Sequence, residues 1–297
     1  MNASRPTRDL LPAVIFLLPG LALFGLFFLW PMAYSLRISF YDWKIVHPEN
    51  SLWLGLANYQ RALRDPIFQR AVTNTTAYTV ITVAVKITLG LFVALLLNPR
   101  FRGRTFFRVS YYLPVITSWV IVSLLFEYMF SGQAGLVNFL LRDILHVISE
   151  NVRWLADPVL ALVPVVLVDI WKGIGWATVI FLAGLQTIPQ ELYEAAHVDG
   201  ASPPNMLRFI TLPLLRPTLV YLLVVLVIGG LNAYIPFLLI TGGDPLDQTH
   251  SILTLMYEAT FGRLNFGYGA AISYLLTLFV FLISLVEIRL LRRSVEL

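Results

Sequence analysis

Cysteine is absent from the 297 residues. No disulfide, thiolate metal site or cysteine nucleophile can therefore form, although the absence leaves the redox compartment open. Charge is also scarce, since Asp, Glu, Lys and Arg together make up 13% of the chain. The only lysines are Lys44, Lys86 and Lys172, and they follow Trp43, Val85 and Trp171. A phosphate-binding loop needs Gly immediately before its Lys, so this chain cannot hydrolyse ATP through that motif. It has no HExxH pair, no GxSxG elbow and no clustered histidines for zinc. His250 stands alone and reads as a surface histidine rather than a ligand. No metal site and no cofactor is expected on this chain.

What is abundant is apolar. Hydrophobic residues reach 58% and the mean hydropathy is +0.77, whereas soluble domains normally stay below half apolar. The composition indicates an integral membrane protein, and apolar runs of about 20 residues or more read as helical spans make it all-α. The net charge of +4 is modest, and its basic residues lie in short loops, where they report topology rather than nucleic-acid binding. No repeat of 20 to 50 residues and no low-complexity linker divides the chain.

Six apolar runs are long enough to cross a bilayer at 1.5 Å per residue. Arg5 and Arg8 precede the first, Leu10 to Leu36, which is too long for a signal-peptide core and lacks a small-residue cleavage site; Pro12, Pro19 and Pro31 are placed to bend it. Arg37 to Arg70 is polar and reads as external, with Trp43, Trp53 and Tyr59 suited to the interface. The second span, Val72 to Leu97, contains Lys86, which needs a partner or a wet cavity; a structural ion pair and a pore-facing cation are both open. Arg100, Arg102, Arg104 and Arg108 crowd the next connection, the strongest positive-inside signal, and assign it to the cytoplasm.

Span three, Val109 to Phe130, carries Pro114 within and Glu127 near its outer end, and the loop to Asp157 has the pattern of short amphipathic helices. In span four, Val159 to Leu185, Asp169 and Lys172 share one helix face, which predicts a mutual salt bridge. The alternative is a polar patch on a substrate path, with Trp171 and Trp176 beside it as stacking surfaces. Span five, Leu214 to Ile240, includes Gly229, Gly230, Asn232, Tyr234 and Pro236. Such irregularity is tolerated in lipid mainly where backbone lines a cavity, so Asn232 and Tyr234 are the leading substrate-contact candidates, against helix-to-helix hydrogen bonding. Span six, Ala270 to Leu291, ends in Arg289, Arg292 and Arg293. Alternation from the arginine loop puts both termini in the cytoplasm.

Between spans four and five lies a polar-to-amphipathic loop, residues 185–213. Pro189 can open a short helix bearing Leu192, Ala195, Ala196 and Val198 at helical spacing, with Glu191 and Glu194 near its positive end. Gly200 supplies the left-handed turn that stops it, Ser202 can cap a second helix and Pro203 takes its first position. Residue pattern alone favours a pair of helices lying on the bilayer surface.

Glu194-Ala195-Ala196, Asp199-Gly200-Ala201, Ile210 and Leu212-Pro213 resemble the EAA loop of permease subunits in binding-protein-dependent ABC importers. Pro204 and Leu207 depart from the usual pattern, which has aromatic residues there. Thr241-Gly242-Gly243 and the run from Tyr257 to Gly269 resemble the maltose and glycerol-phosphate type permeases. The resemblance implies a MetI-like fold of six transmembrane helices. It divides into residues 1–70 as first span and external loop, 71–291 as permease core, and 292–297 as cytoplasmic tail.

The same resemblance implies that Glu194, Ala195, Ala196, Asp199, Gly200, Ala201, Ile210, Leu212 and Pro213 dock a cytoplasmic ATPase. The implied partners are a second permease, an ATPase homodimer or heterodimer that carries ATP and Mg, and an extracytoplasmic solute-binding protein. The location would be a bacterial or archaeal plasma membrane. The substrate is expected to be a di- or oligosaccharide, with glycerol 3-phosphate or a related polyol phosphate as the alternative. Candidate path residues are Asn232, Tyr234, Trp171, Trp176, Lys172 and Glu127. Two other classes stay open from residues alone, an intramembrane hydrolase using Asp169 and Glu127 and an ion-coupled carrier using Glu127, Asp169, Lys86 and Lys172.

Overall fold

Inside hydrocarbon, backbone groups find no water, so an apolar chain satisfies them along helical axes. The computed structural model describes residues 10–99 and 102–292; Arg5, Arg8, Arg100 and Arg293 lie outside them. In chain order the elements are α1 (Leu10–Phe24), a π-helical turn (Gly25–Leu29), α2 (Trp30–Ile38), β1 (Tyr41–Asp42), β2 (Leu52–Trp53), α3 (Ala57–Arg64), α4 (Pro66–Leu97), α5 (Arg104–Ile116), α6 (Trp119–Met129) and α7 (Leu136–Phe139). There follow α8 (Leu162–Gln186), α9 (Gln190–Val198), α10 (Pro203–Met206), α11 (Leu212–Leu214), α12 (Arg216–Leu231), α13 (Ile235–Ile240), α14 (Ile252–Tyr257) and α15 (Phe266–Arg292).

Among the described residues, Val14–Ile38, Pro66–Leu97, Leu162–Gln186, Arg216–Ile240 and Phe266–Arg289 are long and apolar enough to cross a membrane. The pair α5 and α6 makes a sixth span only as a broken one, bent by 91°. The third span expected over residues 109–130 is thus two helices rather than one, broken just after Pro114. Pro114 deprives the helix of one donor, Thr117 turns extended, and Ser118 starts the next helix from β-region dihedrals. The second span also starts before Val72, because Asp65 accepts a bond from Ile67 N at 2.9 Å and Pro66 occupies the first helical turn.

The chain divides into two compact units. One comprises residues 1–63 and 256–275. Its first span is unburied throughout its most apolar window. Beyond that span, β1 pairs antiparallel with β2, placing Tyr41 opposite Trp53. Buried Asn58 donates to the carbonyls of Ser39 (2.9 Å) and Tyr41 (3.0 Å), and the Arg61 guanidinium lies 4.4 Å from the Tyr268 ring centroid.

The other unit comprises residues 64–255 and 276–297. At its centre α4, α8 and α12 pack through Val93, Ala94, Leu97, Ala177, Phe181, Leu185, Leu215 and Leu222. A second apolar cluster joins Tyr78, Val122, Val165, Val168, Ala233, Phe237 and Ile240. The loop after α6 is closed by Asn138, which donates to Gly132 O and Val152 O and accepts from Val152 N and the Trp154 indole.

Candidate functional site

A charge inside a span must be paired or hydrated, and α4 shows how. Tyr78, Thr82 and Lys86 recur at every fourth residue and are all buried, as one face of a helix requires. Lys86 Nζ donates to Asp169 Oδ2 of α8 at 2.7 Å, with both side chains at least nine-tenths buried. The Tyr78 hydroxyl faces the same carboxylate. Gly173 is what lets the Lys86 stem cross α8, since a Cβ there would overlap Lys86 Cδ.

The salt bridge predicted between Asp169 and Lys172 is therefore corrected. Lys172 turns instead to the end of α5 and donates to the carbonyls of Pro114 (2.9 Å), Val115 (2.9 Å) and Thr117 (2.6 Å). Helical spacing made the pair geometrically allowed, but carbonyls at a helix end and a cation from another span supplied each charge with a closer partner.

Span five breaks where its sequence is irregular. Helix α12 ends at Leu231, α13 resumes at Ile235, and the residues between them are not helical. The Asn232 amide donates to Ile228 O at 2.8 Å, capping the first segment. Around this break lies a cavity of about 280 Å³ lined by Tyr78, Trp119, Asp169, Gly229, Asn232, Ala233, Tyr234, Ile235 and Pro236. Its polar groups are phenol, indole, amide and a carboxylate neutralised by Lys86, a set suited to hydroxyl-rich ligands with apolar faces.

Asn232 and Tyr234 are thus brought together, but the other path candidates are not. Trp171 stands with Ser110, Tyr111, Pro114 and Ile174 around a different cavity and stacks obliquely on Phe126. Trp176 packs on the central core beside Tyr221. Glu127 is half-buried and is not among the residues that line the cavity at the span-five break. Lys172 is occupied by the three carbonyls. Sequence reasoning missed Tyr78 and Trp119, although the polar spacing from Tyr78 to Lys86 and the Pro-x-x-Thr-Ser-Trp stop and restart at residues 114–119 were available signals.

The loop between α8 and α12 is an elbow. Helix α9 ends with Gly200 N bonded to His197 O (3.1 Å) and Ala201 N to Ala196 O (2.9 Å), a Schellman closure with Gly200 at φ +75°. Pro203 opens α10 after Ser202, which makes no side-chain cap bond. The Tyr193 and Thr211 hydroxyls meet at 2.9 Å and tie the two arms together. Glu194, Ala195, Asp199, Gly200, Leu212 and Pro213 are exposed, Ala201 and Ile210 are half-buried, and Ala196 is buried. Val198 and Phe209 are 88% and 68% exposed, so the elbow presents an apolar surface flanked by carboxylates.

His250 is also corrected, since it is only 2% exposed. Its ring packs against Gly243 and reaches Thr254 Oγ1 (3.2 Å) and Asp247 Oδ1 (3.3 Å), and Asn74 ties the adjoining carbonyls of Gln248 and His250 to α4. A histidine read from sequence shows neither the loop folded over it nor those partners. Among the described residues, no group of three or more His, Asp or Glu could hold a metal ion.

Residues 86–295 match the family described as "Binding-protein-dependent transport system inner membrane component". The chain is 34% identical to a probable ABC transporter permease protein of Pyrococcus horikoshii, covering 95% of this chain and 96% of the relative. It is 33% identical to the lactose transport system permease protein of Rhizobium radiobacter, with 92% and 91% covered. It is 34% identical to the trehalose/maltose transport system permease protein of Thermococcus litoralis, with 93% and 92% covered. Its backbone is similar to a chain of a bacterial ABC transporter involved in import of the acidic polysaccharide alginate, at a TM-score of 0.83, 24% identity and 98% of both chains. A second structure of such a transporter, in complex with an alginate pentasaccharide-bound periplasmic protein, gives 0.83 at 25% identity, with 98% of this chain and 96% of that chain covered.

Proposed function

The chain belongs to the family of binding-protein-dependent transport system inner membrane components, and from that premise we propose that it is the non-catalytic permease subunit of an ABC importer for a di- or oligosaccharide. The observation that carries the substrate class is likeness over nearly the whole chain to permeases of lactose and trehalose/maltose transport systems. The cavity is chemically consistent, offering Asn232, Tyr234, Tyr78 and Trp119 to hydroxyls and sugar faces. A phosphate ester calls for an uncommitted cation. Lys86 is neutralised by Asp169 and Lys172 is spent on carbonyls, so glycerol 3-phosphate is not favoured.

The elbow from Glu194 to Pro213 receives the ATPase. Exposed Val198 and Phe209 offer apolar contact, and the Schellman closure with the Tyr193–Thr211 link makes the elbow stiff enough to pass a push to α8 and α12. Two cavity states can be driven by nucleotide only if the ATPase binds them unequally through this contact. The assembly comprises this chain, a second permease, two ATPase subunits that hold ATP and Mg, and an external solute-binding protein. Both termini and the elbow then face the cytoplasm. The relation of the chain to an assembly containing a sugar-loaded periplasmic protein supports the external partner.

The test is uptake of labelled disaccharide into proteoliposomes carrying the complete assembly, with ATP inside and binding protein outside. Uptake should require ATP and persist after a protonophore collapses the proton gradient. Uptake that ignores ATP and stops with the protonophore would replace this reading with the ion-coupled carrier.

A further inference from the structure

A span broken in lipid leaves carbonyls at the end of its first half without intrahelical partners, at the negative end of that helix dipole. The carbonyls of Val115, in the last turn of α5, and of Thr117, just beyond it, lie at that end beside the Pro114 carbonyl, which already accepts from Thr117 N (3.3 Å) and Thr117 Oγ1 (2.6 Å). A lysine ammonium has three N–H donors and no acceptor. Lys172 of α8 places one on each of the three carbonyls, at 2.9, 2.9 and 2.6 Å, and is itself 5% exposed. One turn along α8, Gly175 lets the Tyr111 carbonyl of α5 press against the helix backbone, where a Cβ would collide. The two helices are thus in contact at the point where the ammonium is delivered.

The same ammonium lies 5.0 Å from the centroid of the Trp119 ring, within cation–π range. Trp119 is the first residue of α6 and lines the cavity that holds Asn232 and Tyr234. We propose that Lys172 is a positioning residue: it pins the carbonyl end of α5, holds the break between α5 and α6, and thereby sets the Trp119 ring as a wall of the substrate cavity. The Trp119 part rests on reading that cavity as the translocation path; the pin does not.

The absence of cysteine makes a paired-label test direct. Val109→Cys and Tyr128→Cys are exposed positions on the two sides of the break, and spin labels there report the bend by pulsed dipolar spectroscopy in the assembled transporter in nanodiscs. At 1.5 Å per residue an unbroken helix would separate these positions by about 28 Å, and a right-angle break by about 20 Å. The unaltered chain should give the short distance. Lys172→Met should lengthen and broaden the distribution, and Lys172→Arg, which keeps a cation with several donors, should largely restore it. Should Lys172→Met fail to accumulate, Lys172→Gln, which keeps two donors, carries the same comparison.

Sugar transport by Lys172→Met should fall about tenfold, in line with the loss of a buried charged hydrogen bond. Trp119→Ala should reduce transport comparably while leaving the short distance intact. The double variant should be no worse than either single, the signature of two residues acting through one route. An unchanged distance in Lys172→Met overturns the pin. Normal transport in Trp119→Ala overturns the Trp119 part and counts against the cavity reading, and multiplied losses in the double variant overturn the link between the two residues.

Discussion

The Lys86–Asp169 pair provides the most quantitative test of the packing. Exposed ion pairs contribute only about 0.2 to 1 kcal/mol, but this one is 2.7 Å long with side chains 5% and 10% exposed. Removing one partner leaves the other charge buried without its counter-ion, which costs roughly 3 to 5 kcal/mol. Lys86→Met leaves the Asp169 carboxylate beside the Tyr78 hydroxyl without its cation, whereas Asp169→Leu leaves an ammonium whose stem lies against Gly173. Replacing both with apolar groups removes the desolvation penalty with the attraction, so the double variant should lie within about 1 kcal/mol of the unaltered chain. Equilibrium unfolding in mixed detergent micelles, followed by tryptophan fluorescence, measures all four corners of the cycle. The coupling energy should reach about 3 kcal/mol or more. Additive losses, or single variants costing under about 1 kcal/mol, would refute the claim that these charges are each other's partner.

Gly173→Val should destabilise the protein by about 1 to 3 kcal/mol, because its side chain would take the path of the Lys86 stem; wild-type abundance and unfolding behaviour would refute that packing. Asn138→Ala should leave two half-buried backbone carbonyls and the Trp154 indole without this partner, costing about 1 to 3 kcal/mol, measured as faster proteolysis of the loop between α6 and α8. A cysteine placed at exposed Ser202 should react with an impermeant maleimide in inverted vesicles and not in intact cells; labelling of intact cells would contradict the proposed orientation.

Much of the fold was legible because membrane physics writes itself into composition. Long apolar runs marked the spans, and Gly200 with Pro203 marked the elbow, since a left-handed closure and a helix start each favour one residue type. The irregular Gly229-Gly230-Leu231-Asn232 run also announced its break. What spacing could not supply was partner choice. Lys172 sits three residues from Asp169, yet Asp169 bonds a lysine 83 residues away in the chain, and no local pattern encodes that approach. The 91° break in span three was marked by Pro114 and the Thr117-Ser118 restart, but hydropathy averaged over a whole span does not register a bend. His250 was misplaced for a related reason, as a loop residue's burial depends on segments that fold over it. Trp171 and Trp176 were grouped with the path by proximity in sequence, but they project to a different cavity and to the core.

The central claim is that the elbow transmits the work of an ATPase to the spans. Gly200 tests it without disturbing packing, because an added Cβ would meet nothing within 4 Å while the backbone sits at φ +75°. A β-branched residue resists that conformation, whereas Asn tolerates it. In the reconstituted assembly, ATP hydrolysis and sugar uptake should be measured together for Gly200→Val and Gly200→Asn. The account predicts that Gly200→Val hydrolyses ATP but loses most uptake, while Gly200→Asn retains both; full uptake by Gly200→Val would contradict it.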